Sequence, residues 1–512
     1  MSSPIRWEQD GDGVVTLVLD DPQQRVNTMN DAFMQALFST VERLESQIES
    51  ISGVILRSGK RSFLAGGDLN RLFAVDLRDK DEFAAGLNER KSFTSRLELL
   101  GRPVVALLAG PALGGGLELA LCCHHRIAVD NGRTTVGLPE VNLGLMPGAG
   151  GVVRTVRLLG PDVALDHVLL SGRRFGPMEA ASIGLIDCVV ETEEMAETAA
   201  RKWIRTRVVQ PARSEPSNGH HSARVSPMKA HPGKQNLIRV AEFAAQGNFD
   251  QALEFETEAF ADLAVSEKTK NMIRINFFES TRVRNRAKAD SSAERQAKPV
   301  LVTHSDSAEL VATVNWSSVV ESVANTSPTT AAEFTALHVD PATPVESQVW
   351  LSPDYVGDGQ LVLEYRGPGS PEFRASISTL AAKGVIAIEL GPAGRSFALH
   401  IRTALAAAVR SAVSHGVTEL DVRTALDWAD FDTRDITEIG LVSEVGYSET
   451  NEAAITELAH SLLTEVAASA IDAIECGALA YAADADVASV RAGGFPAWTG
   501  GVRTWATRGS SI

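Results

Sequence analysis

In "PALGGGLELALCCHH", residues 111–125, three glycines (Gly114, Gly115 and Gly116) stand just ahead of an apolar run that carries one carboxylate, Glu118. Glycines at such a point let backbone come close to a bound group, because no Cβ stands in the way. A helix starting at Gly115 or Gly116 aims its first free N–H groups, and the positive end of its dipole, at that group. The arrangement suits an oxygen that gains negative charge during a reaction. A second glycine turn, "RSFLAGGDLNRL" at 61–72, offers a further N–H at Gly67. Two such donors in a dry site form an oxyanion hole, each contributing roughly 3 kcal/mol of transition-state stabilisation. "VGLPEVNLGLMPGAGG", 136–151, adds a second acid, Glu140, on a Pro-bracketed apolar loop. A carboxyl there tends toward a raised pKa, as a proton donor at neutral pH requires, so one acid can activate water while the other protonates carbon. Taken singly, each acid also fits something plainer: Glu118 an ordinary first-turn helix acid, Glu140 a surface acid.

The elements that must position these groups alternate along the chain. "VVTLVL" (14–19), "GVILR" (53–57) and "VVALLA" (104–109) read as strands. Between the first two, residues 31–50 place Phe33, Leu37, Val41 and Leu44 at helix spacing. Character changes near residue 205. Residues 211–234 are rich in Pro, Gly, Ser and basic side chains, and read as a linker or exposed loop. From 237 to about 288 the pattern is strongly helical with a wide apolar face, and an Ala-rich helical block covers about 397–427 and 451–476. Between them, 299–390 alternates short strand-like runs with Ser/Thr/Pro-rich turns.

Composition removes several classes of function. A 512-residue chain exceeds one core and should form about two to four domains. Its 44% hydrophobic and 22% charged content suits a soluble globular protein. No apolar run reaches membrane-spanning length, and "MSSPIRWEQDGDG" lacks a signal peptide's apolar segment, so a cytoplasmic location is expected. A net charge of −17 without a basic stripe argues against nucleic acid or an anionic membrane as partner. Cys122, Cys123, Cys188 and Cys476 show no C-x-x-C spacing and are expected to be buried thiols, with no metal site.

"SFLAGGDL", "PVVALLAGPALGGGLELAL" and "GLPEVNLGLMPGAGGVVRTVRLLG" resemble, in order and spacing, the three signature blocks of the crotonase (enoyl-CoA hydratase/isomerase) family. "SGRRFGPMEAASIGLIDCVV", 171–190, is similar to the block that follows them there. The resemblance covers about 1–190. It implies an α/β fold built as a spiral of ββα units, a coenzyme A thioester substrate, and an oxyanion hole from the N–H groups of Gly67 and Gly115. It also implies that Glu118 activates water for attack at C3 and that Glu140 delivers a proton to C2. Ala65, Gly66, Asp68, Leu69, Gly114, Pro139 and Gly148 would lie along the substrate and its CoA. Asn70 replaces the Lys that many relatives carry near the CoA, and His124 and His125 in "HHRIAV" replace a commoner Asp-containing run and are read as structural.

The remainder resembles a fatty-acid oxidation multifunctional α-subunit, in which a crotonase domain precedes a 3-hydroxyacyl-CoA dehydrogenase. The resemblance rests on "EAFADLAVSEKTKNMIRINFFES" and on "DADVASVRAGGFPAWTGGVRTW" at 484–505. It implies a crotonase-like domain at 1–205, a linker and helical segment at 206–298, a reduced and degenerate NAD-binding remnant at 299–390, and a helical C-terminal domain at 391–512. The chain has no G-x-G-x-x-G motif, which a dinucleotide-binding domain needs. In "VWLSPDYVGDGQLVLEYRG", 349–367, Val349 stands where those dehydrogenases place a His, and their Glu falls at Leu363, next to Glu364. "GPAGRSFALHIRTAL" lacks a clear match to their Asn, and His304 and His400 are read as structural.

The implied activity is 2-enoyl-CoA hydration in a β-oxidation-type pathway, without metal or NAD and with dehydrogenase activity lost. Δ3,Δ2-enoyl-CoA isomerisation and a non-catalytic subunit role remain as alternatives. The expected partners are a thiolase-like β-subunit or further copies of the chain.

Overall fold

The computed structural model describes residues 3–206, 231–289, 300–304, 312–314, 332–340, 343–352, 362–366, 371–382, 384–392, 396–432 and 451–508. Most of the expected linker at 211–234 lies outside them. Two compact units emerge, one comprising described residues up to 206 together with 232–270, the other running from 271 onward.

In the first unit, β1 (Ile5–Gln9) pairs antiparallel with β2 (Val14–Leu19), after which β3 (Gly53–Ser58), β4 (Val104–Leu108), β6 (His125–Val129) and β9 (Cys188–Val190) continue as a parallel sheet. A smaller sheet joins β5 (Ala112–Leu113), β7 (Val136–Gly137) and β8 (Arg174–Phe175). The chain thus lays one strand in each sheet and then turns into a helix, and repeats this: β4 and β5 before one glycine-led helix, β6 and β7 before the next. This is the expected spiral of ββα units. Every residue of β2 and β4 is buried, as continuous aliphatic runs covered on both faces require.

Helix α1 (Asp31–Ser46) begins where the Asn30 side chain accepts a hydrogen bond from Phe33 N, at 2.8 Å. It buries Phe33, Leu37, Val41 and Leu44, the stripe read from the sequence. Then follow α2 (Leu69–Ala74), α3 (Lys80–Glu98), α4 (Gly115–Leu121), α5 (Gly151–Leu159) and α6 (Glu193–Thr206). Ala196, Ala200 and Ile204 of α6 pack on Ile55, Val105 and Ile127 of the large sheet. Helices α7 (Pro232–Gln246) and α8 (Phe249–Val265) belong to this unit too, α7 against α5, and α8 against α3 and α5. The expected boundary at 205 separates them from the domain they complete. They lie beyond the motif-bearing blocks, so nothing local marks them as part of it.

The second unit contains α9 (Ser280–Ala289) and a six-stranded sheet in the order β11 (Ala312–Val314), β10 (Val300–His304), β12 (Ala332–Asp340), β13 (Thr343–Ser352), β14 (Val362–Arg366), β15 (Ile386–Glu389). Its neighbours run antiparallel except β14 and β15, which α10 (Pro371–Ala382) connects in parallel. A dinucleotide-binding remnant implies parallel βαβ units, and among the described residues one such unit is present, 362–389. The longer helices described after this sheet are α11 (Phe397–Ser414), α12 (Glu419–Ala429) and α13 (Glu452–Glu475), and α14 (Val502–Arg508) follows them. Gly416, at φ 92°, separates the first two. Trp498, Trp505, Phe397 and Phe495 belong to its core, with Ala459, Ala467 and Ala470 of α13.

The cysteine expectation holds for half of the residues. Cys122 and Cys123 are buried, whereas Cys188 on the terminal strand β9 is half-buried and Cys476, at the end of α13, is exposed.

Candidate active site

The two glycine turns meet. Leu64 bridges to Ala112 as a parallel neighbour, Leu113 N donates to Leu64 O, and Met29 N holds Gly66 O at 2.9 Å. A Cβ on Gly66 would lie 3.7 Å from Gly115 N. Helix α4 starts at Gly115, and no side chain caps it. The N–H groups of Gly67 and Gly115 have no acceptor among the described residues. Gly67 is exposed and has open space where its side chain would be.

Both acids are brought to this place. Glu118 is buried, and its Oε1 accepts hydrogen bonds from Ala149 N at 2.7 Å and Gly151 N at 2.9 Å. Burial raises its pKa to about 7, the charge of Glu256 adding to the rise while the two amides and Lys91 oppose it. Glu140 sits on the turn Pro139–Leu143, and its Oε2 is buried without a hydrogen-bond partner among the described residues. Burial, then the neighbouring charge of Glu118, raises its pKa well above the ordinary carboxyl range.

Gly114 makes this approach possible. It has φ 53° and ψ −125°, and a Cβ there would lie 2.5 Å from Glu140 Oε1. Gly150, at φ 96°, opens α5, where a Cβ would run into the Arg154 guanidinium.

The remaining sequence candidates divide by location. Ala65 N donates to Asn27 O, beside Gly66, and Pro139 begins the turn that carries Glu140. Asp68 caps α2 through the amides of Asn70 and Arg71, Leu69 is that helix's first residue, and the exposed Asn70 side chain donates to Asp68. Gly148 is buried against the Phe260 ring of α8, which gives it a packing part in this unit. His124 accepts a hydrogen bond from Val104 N, and burial lowers its pKa to about 4; His125 stacks on Trp203 with ring centroids 4.7 Å apart.

Two residues absent from the sequence reading complete the site. Glu256 of α8, fully buried, accepts from Gly150 N at 2.6 Å and Val153 N at 3.1 Å, and Lys91 of α3 pairs with it at 2.9 Å. Ala252, Glu256 and Phe260 recur every fourth residue on the buried face of α8. An acid inside an apolar helical stripe is the signal that marks Glu256.

In the second unit, Glu364 rather than Leu363 is the carboxylate of β14, and it is fully buried. Its oxygens accept from Ser396 Oγ and Ala398 N, capping α11, and burial raises its pKa to about 7. His400 Nε2 lies 3.0 Å from Ser469 O, a structural contact between α11 and α13.

Two buried carboxyl groups and the glycine-led start of α4 are thus gathered at one place. Residues 9–225 match the model of the enoyl-CoA hydratase/isomerase family, and this part of the chain is similar to that family. The chain is 32% identical over 309 residues to a fatty acid oxidation complex subunit alpha of Shewanella baltica (strain OS185), the match covering 57% of this chain and 43% of that protein. It is 29% identical over 305 residues to the protein of that name from Aliivibrio fischeri (strain ATCC 700601 / ES114), with 57% and 44% covered. The match thus spans less than half the length of these relatives. The crystal structure of enoyl-CoA hydratase from Bacillus halodurans is 23% identical, with 53% of this chain and 99% of that chain covered and a TM-score of 0.41. Among the described residues, no helix is long and apolar enough to cross a membrane.

Proposed function

We propose that this chain is a 2-enoyl-CoA hydratase. The supporting observation is the asymmetry of its two acids. One oxygen of Glu118 is held by two backbone N–H groups, which favour the carboxylate, whereas Glu140 has a buried oxygen with no partner, which favours the protonated acid. Groups whose surroundings push their protonation states apart take base and acid roles.

In this reading the Glu118 carboxylate takes a proton from water as the water oxygen bonds to C3. The π-electron pair moves toward C2 and the thioester oxygen, whose charge collects on the N–H groups of Gly67 and Gly115. Glu140 then gives its proton to C2, and proton transfer between the two acids and solvent restores the starting state. Every step uses protein groups and water. The reading includes no metal and no NAD, and dehydrogenase activity is lost. It assigns the chain to cytoplasmic β-oxidation-type degradation, with a thiolase-like subunit or further copies as partner.

The test is turnover of crotonyl-CoA and longer enoyl-CoAs by the full chain, with and without NAD. Hydration is expected, and Glu118→Gln and Glu140→Gln should each lower kcat by at least about 10²-fold. Wild-type turnover in either variant refutes the assigned role. Isomerisation without water uptake supports the Δ3,Δ2-isomerase instead, inactivity toward every thioester a non-catalytic subunit, and NAD-dependent oxidation of the product an intact dehydrogenase.

A further inference from the structure

The stretch Ala149–Val153 serves two carboxylates at once. The amides of Ala149 and Gly151 hold Glu118, and those of Gly150 and Val153 hold Glu256. The acids therefore share the N-terminal end of α5. Glu256 arrives from α8, more than a hundred residues further along the chain. It is 0% exposed, and Lys91, 3% exposed, meets it from α3 and also donates to Leu253 O at 2.8 Å. Thr257 fixes the same helix to Asn88 of α3 at 2.6 Å.

We infer that Glu256 and Lys91 are positioning residues for Glu118, and that α8 completes the active site by locking the 149–153 amides and setting the charge on that acid. The inference rests on Glu118 being the water-activating base. Glu256 acts in two ways. It orients the segment whose other amides grip Glu118, and its negative charge opposes ionisation of Glu118, an effect Lys91 counters. The other charged groups around this cluster are Glu140 on its turn, Glu98 of α3 and Arg154 of α5. Arg154 pairs with Glu98 at 3.1 Å and donates to Ala149 O at 3.3 Å, a further hold on the same segment. Lys91 is thus the cation that answers Glu256, because Arg154 is occupied by Glu98.

The two charges predict opposite responses in the full chain. In Glu256→Gln the midpoint of Glu118 should fall, since a neighbouring anion is gone and Lys91 is left unpaired. In Lys91→Met it should rise. Each shift is expected to be about one pH unit, the usual effect of a close charge. Glu118 is followed by carboxyl carbon NMR, assigned through the signal lost in Glu118→Gln, and the acid limb of the kcat/KM pH profile should move with it. A merely structural role would lower the melting temperature without moving the midpoints in opposite directions. Two folded variants with midpoints within about 0.2 unit of wild type, or displaced the same way, overturn the inference. Should a single variant fail to fold, the neutral pair Lys91→Met/Glu256→Met removes both buried charges together, a change proteins tolerate better than removal of one. Its kcat should fall about tenfold as the amides lose their acceptor, and wild-type kcat overturns the inference. Absence of hydratase activity in the wild-type chain would sink the functional reading alone, and the NMR titration would still decide the pairing.

Discussion

Gly114→Ala tests whether contact with Glu140 is what requires glycine ahead of α4. Two separable effects follow from the geometry. At φ 53° and ψ −125° an L side chain is strained, which costs about 1–3 kcal/mol. In a unit of this size about 2 kcal/mol corresponds to a loss of roughly 4–8 °C in melting temperature. The second effect is chemical. The new methyl would lie 2.5 Å from Glu140 Oε1 and 3.3 Å from its carboxyl carbon, so the acid must retreat by the better part of an ångström. Misplacing a reacting group by about 1 Å can cost 10²-fold, so kcat should fall about 10²-fold while KM changes little. Gly132→Ala is the control: Gly132 also has positive φ, at 72°, but nothing lies within 4 Å of its missing Cβ. It should lose stability without losing turnover. The assay is the fall in enoyl-thioester absorbance on hydration of crotonyl-CoA, with thermal unfolding followed in parallel. If Gly114→Ala keeps kcat within about threefold of wild type, or if Gly132→Ala loses as much, the placement of Glu140 as proton donor is wrong.

Two further predictions concern the second unit. Glu364 has a raised folded-state pKa, so between its unfolded value of about 4.5 and its folded value of about 7 the native state binds more protons than the unfolded one, and stability falls as pH rises through that window. The loss should be about 3 kcal/mol by pH 8, and Glu364→Gln should remove that part of the pH dependence in urea titrations at pH 5 and pH 8; an unchanged difference refutes it. Asp484 is fully buried and is met by Arg282 and Arg286. Arg286→Ala strips the closer guanidinium from this buried carboxylate and should destabilise the unit by about 3 kcal/mol, read from the shift in urea midpoint; a change under about 0.5 kcal/mol shows that Arg282 alone suffices.

The first unit was legible where period and chemistry coincide locally. The short, β-branched aliphatic runs at β2, β3 and β4 read as strands by their length and composition, and the helical stripe from Phe33 to Leu44 matches α1. The unit boundary was not legible, because a compositional change near 205 records a linker and carries no information on where the following helices pack. The β10–β13 segment shows the converse. Alternating strand-like runs announce strands but not their directions, and pairing in an antiparallel sheet depends on contacts far apart in sequence.

The site divides along the same physical line. Glu118, Glu140, Gly67 and Gly115 could be found because each sits in a short motif whose backbone demands are local: a free amide, a helix start, a Pro-bracketed turn. Glu256 and Lys91 were missed, because a polar residue in a helix stripe marks a buried position but does not name the partner it meets on a helix far away in sequence. What each helix does carry is a polar residue where its face is otherwise closed to water. An acid at 0% exposure in the apolar stripe of α8 must find a cation and hydrogen-bond donors or forfeit burial. In this fold the available donors are the amides of the loop that also grips Glu118. The requirement that stabilises α8 against the domain is thereby the one that orients the catalytic segment. Packing and chemistry cannot be separated at this site, which is why Glu256→Gln is predicted to move a titration curve and not only a melting point.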